Sequence, residues 1–278
     1  MPAANGADGG PSAMRRLKNL LKKTFVYGFV KSSRAKKQLA RWTPHDQEML
    51  DFYRGFVSAG EVCFDVGANI GNRVKILLRL GARVVAVEPQ RECVKVLKAV
   101  FGRHPHFTLV EEALGAAEGH AEIMIGSANT ISSLSREWVD AVVKSGRFGD
   151  QRWDGTQQVT LTTLDRLIAR YGAPAFIKID VEGFEYEVVK GLSRTVKALS
   201  LEFTPEMLES TFRCLEHLEG LGEIELNYSI AESMRFSLDE WVTRSELVEI
   251  LSTLADDHQL FGDVYVRSRA RDPQSRLA

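Results

Sequence analysis

Eleven consecutive residues, Glu61-Val62-Cys63-Phe64-Asp65-Val66-Gly67-Ala68-Asn69-Ile70-Gly71, constrain the fold more than any other part of the chain. A short apolar run ends at a carboxylate, two glycines four residues apart follow, and Val74, Leu77 and Leu78 then recur with helical spacing. This order reads as a buried parallel strand, a tight turn, and a helix whose first turn lies beneath a ligand. A second run, Arg83-Val84-Val85-Ala86-Val87, ends in Glu88, where an acid can accept both hydroxyls of a ribose. Gly67 would remove the side chain that blocks a nucleoside from the strand end. Gly71 would let the helix begin close against the strand. The rhythm is not the G-x-G-x-x-G of dinucleotide-binding turns, which needs a third glycine.

The same alternation continues through much of the chain. Strands are predicted at 62–66, 83–88 and 107–111, with helices at 71–80 and 90–101 between them. Ala121–Ile125 reads as a short strand where a helix would be due, and 126–158 then departs from the rhythm, with Ser127, Asn129, Thr130, Ser132 and Ser133 clustered and a helix predicted at 135–145. Such an insert serves as a lid, a substrate wall or surface elaboration. A helix from Thr162 to Tyr171 leads to the strand Ala175–Asp180, and Val181-Glu182-Gly183-Phe184 is read as the start of the next helix, which Gly191 stops. Strand 198–203, a helix from Pro205 to Leu218, strands at 223–230 and 261–267, and a helix at 238–254 complete the reading. The domain expected from this is 60–267, preceded by 1–59 and followed by a polar tail, 268–278.

Charge divides the chain in the same way. Between Met14 and Arg41 there are ten Lys or Arg and no acid; of 36 basic and 37 acidic residues in all, 26 and 37 therefore lie elsewhere. Met14, Leu17, Leu20, Leu21, Phe25 and Phe29 give this arm an apolar stripe opposite its basic face. Such a helix suits packing on the domain or on a second subunit, as in a homo-oligomer, or peripheral contact of 14–41 with an anionic membrane. Nucleic acid is the less favoured partner, because the aromatic–basic interleaving of RNA modules is missing. Thr43 and Pro44 mark the N-cap and first position of a further helix, to about Phe56. Three scattered cysteines make no disulfide framework, and no secretory signal or membrane-length apolar run is evident, so a reducing, cytoplasmic setting is expected.

In an open α/β sheet, ligands bind beyond the carboxyl ends of the strands where strand order reverses. Asp65, Glu88, Asp180 and Glu202 end four of the predicted strands, and Glu111 and Glu112 follow a fifth. Acids gathered at one such edge cost energy unless a ligand or cation compensates. No zinc, calcium-loop or Walker motif and no G-x-S-x-G elbow is present, and His104 and His106 read as surface residues, so no metal ligands are assigned.

Taken together, Phe64–Gly71, Val87-Glu88-Pro89, Ala113-Leu114-Gly115, Thr163-Leu164-Asp165, Ile177-Lys178-Ile179-Asp180-Val181-Glu182-Gly183 and Leu201-Glu202 resemble the FkbM-type S-adenosylmethionine-dependent methyltransferases, in the family's order, over roughly 60–230. The resemblance implies a class I (Rossmann-like) methyltransferase fold: a mostly parallel seven-stranded sheet with helices on both faces, to which this chain adds an N-terminal helical arm. It also implies O-methylation of a sugar, glycan or other small molecule, with S-adenosylmethionine as cofactor. On this basis Asp65, Gly67, Asn69 and Gly71 line the methionine and ribose side. Glu88 takes the ribose hydroxyls, and Glu111 or Glu112 with Ala113 borders the adenine.

The chemistry is a displacement at an activated methyl, so the protein must align the acceptor oxygen and take its proton. Asp180 is the first candidate base, with Lys178 two residues back on the same strand face to orient it, and Glu182 to cap the helix or touch substrate. A divalent cation on Asp180 and Glu202 is an alternative that lacks an evident third ligand. Other readings are an amine or RNA methyltransferase using the basic arm, or a non-catalytic scaffold.

Overall fold

The computed structural model describes residues 35–257 and 260–269. The chain divides into two compact units, Met1–Arg41 and Trp42–Ala278. Of the first, the described part is helical over 35–40 (α1). The apolar stripe and most of the basic face of the arm lie outside the described residues, as does most of the tail. Among the described residues no helix is long and apolar enough to cross a membrane.

The second unit begins at α2 (Pro44–Tyr53), which starts where the sequence places it: Thr43 and Asp46 cap each other reciprocally and Pro44 occupies the first turn. The alternating part follows as β1 (Val62–Val66), α3 (Asn72–Arg79), β2 (Arg83–Val87), α4 (Arg91–Phe101) and β3 (Phe107–Val110). Then come β4 (Ala113–Leu114), β5 (Gly119–Ile125), α5 (Arg136–Ser145), β6 (Gly155–Thr162) and α6 (Leu164–Tyr171). The chain ends with β7 (Phe176–Ile179), α7 (Glu185–Lys190), β8 (Ala198–Phe203), α8 (Leu208–Leu221), β9 (Ile224–Ile230), α9 (Arg244–Thr253) and β10 (Gly262–Ser268).

Seven strands form one sheet in the order β3-β2-β1-β7-β8-β10-β9. The sheet is mixed: β10 runs antiparallel to both β8 and β9, while the pairs among β3, β2, β1, β7 and β8 are parallel. Both central strands, β1 and β7, are wholly buried, and their mostly apolar sequences each carry one buried charged residue, Asp65 and Lys178. Strand order reverses between them, since β1 leads outward to β2 and β3 while β7 leads outward to β8. The crevice of such a sheet therefore opens above β1 and β7. The three cysteines are buried and form no disulfide, and burial pushes the Cys63 thiol up to about 12, which leaves it as packing.

Three elements differ from the sequence reading. β6 was not foreseen: polar Gln157 takes an inward position beside Val159 and Leu161 and obscures the alternation, and the strand pairs with β4 and β5 in a separate three-stranded sheet. The helix predicted at 238–254 begins only at Arg244, where Thr243 and Glu246 form a capping box. Before it, Asn227 donates from its amide to the carbonyls of Leu238 and Glu240, holding that stretch in a bend outside the helix. Last, 181–184 is a turn and not the start of a helix, because Glu182 and Gly183 both have left-handed backbone, at φ 55° and 84°.

Candidate functional site

A cleft lies over the carboxyl ends of β1, β2 and β7, and its lining joins the Gly67 turn, Glu88, Ala113, Asp180 and the edge of the insert. The ends of the strands are tied together by backbone. Gly67 and Ala68 donate N–H to the Val87 carbonyl, and Asp180 donates to the Val66 carbonyl. Gly67 has φ 80°, and a Cβ there would sit 1.8 Å from the Asp180 carbonyl oxygen. Its first duty is thus to let two strand-end turns cross, beyond any access it gives a ligand. Gly71, at φ 98°, does not line the cleft; a Cβ on it would collide with Phe101 and Leu97 of α4. It sets α3 against α4 rather than against the strand.

Glu88 is 1% exposed and lines the cleft. One carboxylate oxygen accepts the Asn69 N–H at 2.7 Å and the other accepts the Gln90 N–H at 2.7 Å. Asn69 reaches that position through a left-handed φ of 49°. Each oxygen keeps a further lone pair, so the group can still receive two hydroxyls. Burial raises the Glu88 carboxyl to about 7 against the pull of those two backbone N–H groups. Asp65 is buried too, its Oδ2 has no hydrogen-bond partner, and burial lifts it to about 6 although Arg73 and Lys178 counter. An acid with an orphaned oxygen facing a cleft is suited to a cationic or hydroxylic ligand. The donor set on this side fits a nucleoside carrying an amino acid arm.

Ala113 and Leu114 line the cleft. Neither Glu111 nor Glu112 does: Glu111 pairs with Lys98 at 2.5 Å on the outer surface. The apolar wall here is completed by Ile123 of β5. The unforeseen β6 reinforces it, since Gln157 donates to the Pro89 carbonyl and accepts from the Arg91 N–H.

On the opposite side, Lys178 is buried with its ammonium 2.8 Å from Asp263 and 3.2 Å from Asp180. Burial alone would lower its pKa; Asp180 and Asp263 overcome that and hold it well above the ordinary value. Asp180 keeps 37% of its side chain exposed, into the cleft. The sequence offered no sign of Asp263, a single acid in an apolar strand 85 residues from its partner. Asp180, Glu182 and Glu202 each bring a carboxylate oxygen within 4.8 Å of the others. The left-handed turn thus supplies the third carboxylate that sequence spacing did not reveal. Burial, then Asp180, raise both Glu182 and Glu202 well above the carboxylate range.

The insert forms a wall of the site. Asn129, Thr130, Ser132 and Leu134 line the cleft, and the Asn129 amide donates to the Asn69 side chain at 2.5 Å. The Ser133 hydroxyl donates to the Glu182 carbonyl at 2.6 Å. Trp138 is 1% exposed and seals Gly183, where a Cβ would lie 2.3 Å from the Trp138 side chain. Buried Arg147 forks onto Glu206 and donates to the Leu260 carbonyl. Arg73 and Glu232, paired at 2.9 Å, also line the cleft and were not singled out by sequence.

The family described as the methyltransferase FkbM domain matches residues 65–240. No curated protein matches the sequence significantly. Similar solved structures include precorrin-6y C5,15-methyltransferase from Geobacter metallireducens GS-15, at 13% identity and TM-score 0.42, covering 81% of this chain and 87% of that one. Another is cofactor-bound Rv0187 from MTB, at 10% identity and TM-score 0.42, covering 91% and 96%. A third is an rRNA methylase from Streptococcus thermophilus, at 10% identity and TM-score 0.39, covering 79% and 94%.

Proposed function

The chain belongs to the FkbM methyltransferase family, and from that premise we propose that it transfers a methyl group from S-adenosylmethionine to a hydroxyl of a sugar, glycan or other small molecule. One observation carries the reading: a single cleft holds both Glu88, with lone pairs free for two hydroxyls, and the half-exposed Asp180 carboxylate fixed by buried Lys178.

When bound, S-adenosylmethionine supplies a methyl made electrophilic by its sulfonium. Glu88 holds the ribose, and Ala113, Leu114 and Ile123 offer the base an apolar wall. Asp180 accepts the acceptor's hydroxyl proton as the oxygen–methyl bond forms and the sulfur–methyl bond breaks. Lys178, itself held by Asp263, fixes the position of Asp180, so that alignment supplies much of the acceleration. The insert excludes water along one side.

The charge of the cleft argues for the class of acceptor. Asp65, Glu88, Asp180, Glu182 and Glu232 face only Arg73 and Lys178. A phosphodiester backbone would find both of these cations already paired with carboxylates, whereas a polyol can donate to the acids. This favours a hydroxylated small molecule over RNA. If Asp180, Glu182 and Glu202 held a divalent cation, it would acidify the hydroxyl instead; full activity in excess chelator assigns the proton to Asp180, and activity restored only by added magnesium assigns it to the cation. Methyl-labelled cofactor incubated with fractionated cell extract tests the whole reading. Label on oxygen of a glycan or low-mass compound is expected; label in RNA or on nitrogen would redirect it.

A further inference from the structure

Two cationic side chains line the cleft, and they are paired very differently. Lys178 is enclosed between Asp180 and Asp263. Arg73, the second residue of α3, has its side chain 13% exposed and, among the described residues, a single ion-paired carboxylate, Glu232, which is 55% exposed. Its Nη1 points at the Met49 sulfur, a weak acceptor, and its Nε has no hydrogen-bond partner. Tyr53, Asp65 and Asp263 are its other electrostatic neighbours. Glu232 stands on the turn after β9, beside Ala231 at φ 51°, and the His45 ring lies 3.3 Å from it. A guanidinium is shaped for two parallel bonds to one carboxylate, and here Nη2 alone bonds the Glu232 carboxylate. An exposed acid is a weak and exchangeable counter-ion.

Position along the cleft gives the ligand group. With the ribose on Glu88 at the end of β2, an arm crossing the Gly67 turn meets Asp65, whose Oδ2 lacks a donor, and then α3 with Arg73. An amino acid end brings an ammonium for the first and a carboxylate for the second. We propose that Arg73 is the receptor for the carboxylate of the cofactor's methionine end, and that this carboxylate displaces Glu232. The proposal rests on S-adenosylmethionine being the cofactor.

Calorimetry on the full chain with two ligands tests it. S-adenosylhomocysteine carries the amino acid end; 5′-methylthioadenosine keeps the nucleoside and thioether and lacks it. Arg73→Gln is expected to weaken S-adenosylhomocysteine by about 10- to 100-fold and methylthioadenosine by less than about twofold. Glu232→Gln is expected to leave S-adenosylhomocysteine as tight as in the wild type or tighter. Should Arg73→Gln fail to fold, Arg73→Lys keeps the charge, removes the fork, and is expected to show the same selective loss in smaller measure. Methylthioadenosine too weak to detect in the wild type, with S-adenosylhomocysteine selectively lost at an unchanged melting temperature, also supports the assignment. Equal weakening of both ligands, no change in either, or a loss in Glu232→Gln matching that in Arg73→Gln overturns it. Wild-type protein that binds neither ligand overturns the cofactor reading itself.

Discussion

The two sides of the cleft are held together by different means. On the β1–β2 side, Asp65 and Glu88 lie within one short stretch of chain, and Glu88 is fixed by backbone N–H groups from residues next to it or at the neighbouring strand end. On the β7–β8 side, Asp180 is fixed by a side chain that answers to Asp263 on the antiparallel strand, and Glu182 is fixed by a left-handed turn under an inserted helix. The first side is local and therefore generic. The second is assembled from distant pieces, which is where an enzyme family can vary its acceptor without disturbing its cofactor.

If the division is real, breaking each side should fail differently. The largest effect is expected from Asp180→Asn, which removes the proposed base: turnover should fall by about 10²- to 10⁴-fold while S-adenosylhomocysteine affinity stays near that of the wild type. Parallel loss of affinity would join the two sides and undo the comparison. Next, Gly183→Ala forces a Cβ into Trp138 at a φ of 84°, and a cost of about 3 kcal/mol in chemical denaturation is expected from strain and overpacking together. A neutral result would show that the insert is not a fixed wall.

Effects on the cofactor side should be smaller and confined to binding. Glu88→Gln retains shape and one acceptor, and is expected to weaken S-adenosylhomocysteine by roughly 10-fold in calorimetry with little change in fold. The same residue sets a pH dependence. Its folded carboxyl titrates near 7 against an ordinary 4.5, so across that window the folded protein keeps a proton that the unfolded chain has released. By linkage, its contribution to stability falls as pH rises from 4.5 to 7. A ligand that donates hydroxyls to the ionised carboxylate has the opposite sign: its affinity should climb as pH rises toward 7 and level off above it. Glu88→Gln should flatten that profile; an unaltered slope would assign it to Asp65, which titrates near 6.

The same division governs what could be read in advance. The Glu61–Gly71 stretch was legible because strand, turn and helix are written in consecutive residues whose periods change at the glycines. The register of β1 against β2 follows from that. Glycine roles were only partly legible: a sequence marks Gly67 as special, yet the atom it makes room for, the Asp180 carbonyl, lies over a hundred positions away. The acid cluster was missed as a trio because Glu182 seemed to open a helix, when its φ of 55° turns it back over the strand end. Glu111 misled for the opposite reason, since position after a strand does not say whether an exposed acid faces the cleft or Lys98. Arg73 carried no signal beyond its place after the turn, and Glu232, which identifies it, comes from the far edge of the sheet.

The central claim is that a nucleoside cofactor lies across the ends of β1 and β2 with its reactive arm toward Asp180. A crystal structure of the protein with S-adenosylhomocysteine addresses it directly. The account predicts both ribose hydroxyls within hydrogen-bonding distance of the Glu88 carboxylate and the sulfur over the Gly67 turn, facing Asp180. A ligand seated elsewhere, or bound here with its ribose turned away from Glu88, would contradict it.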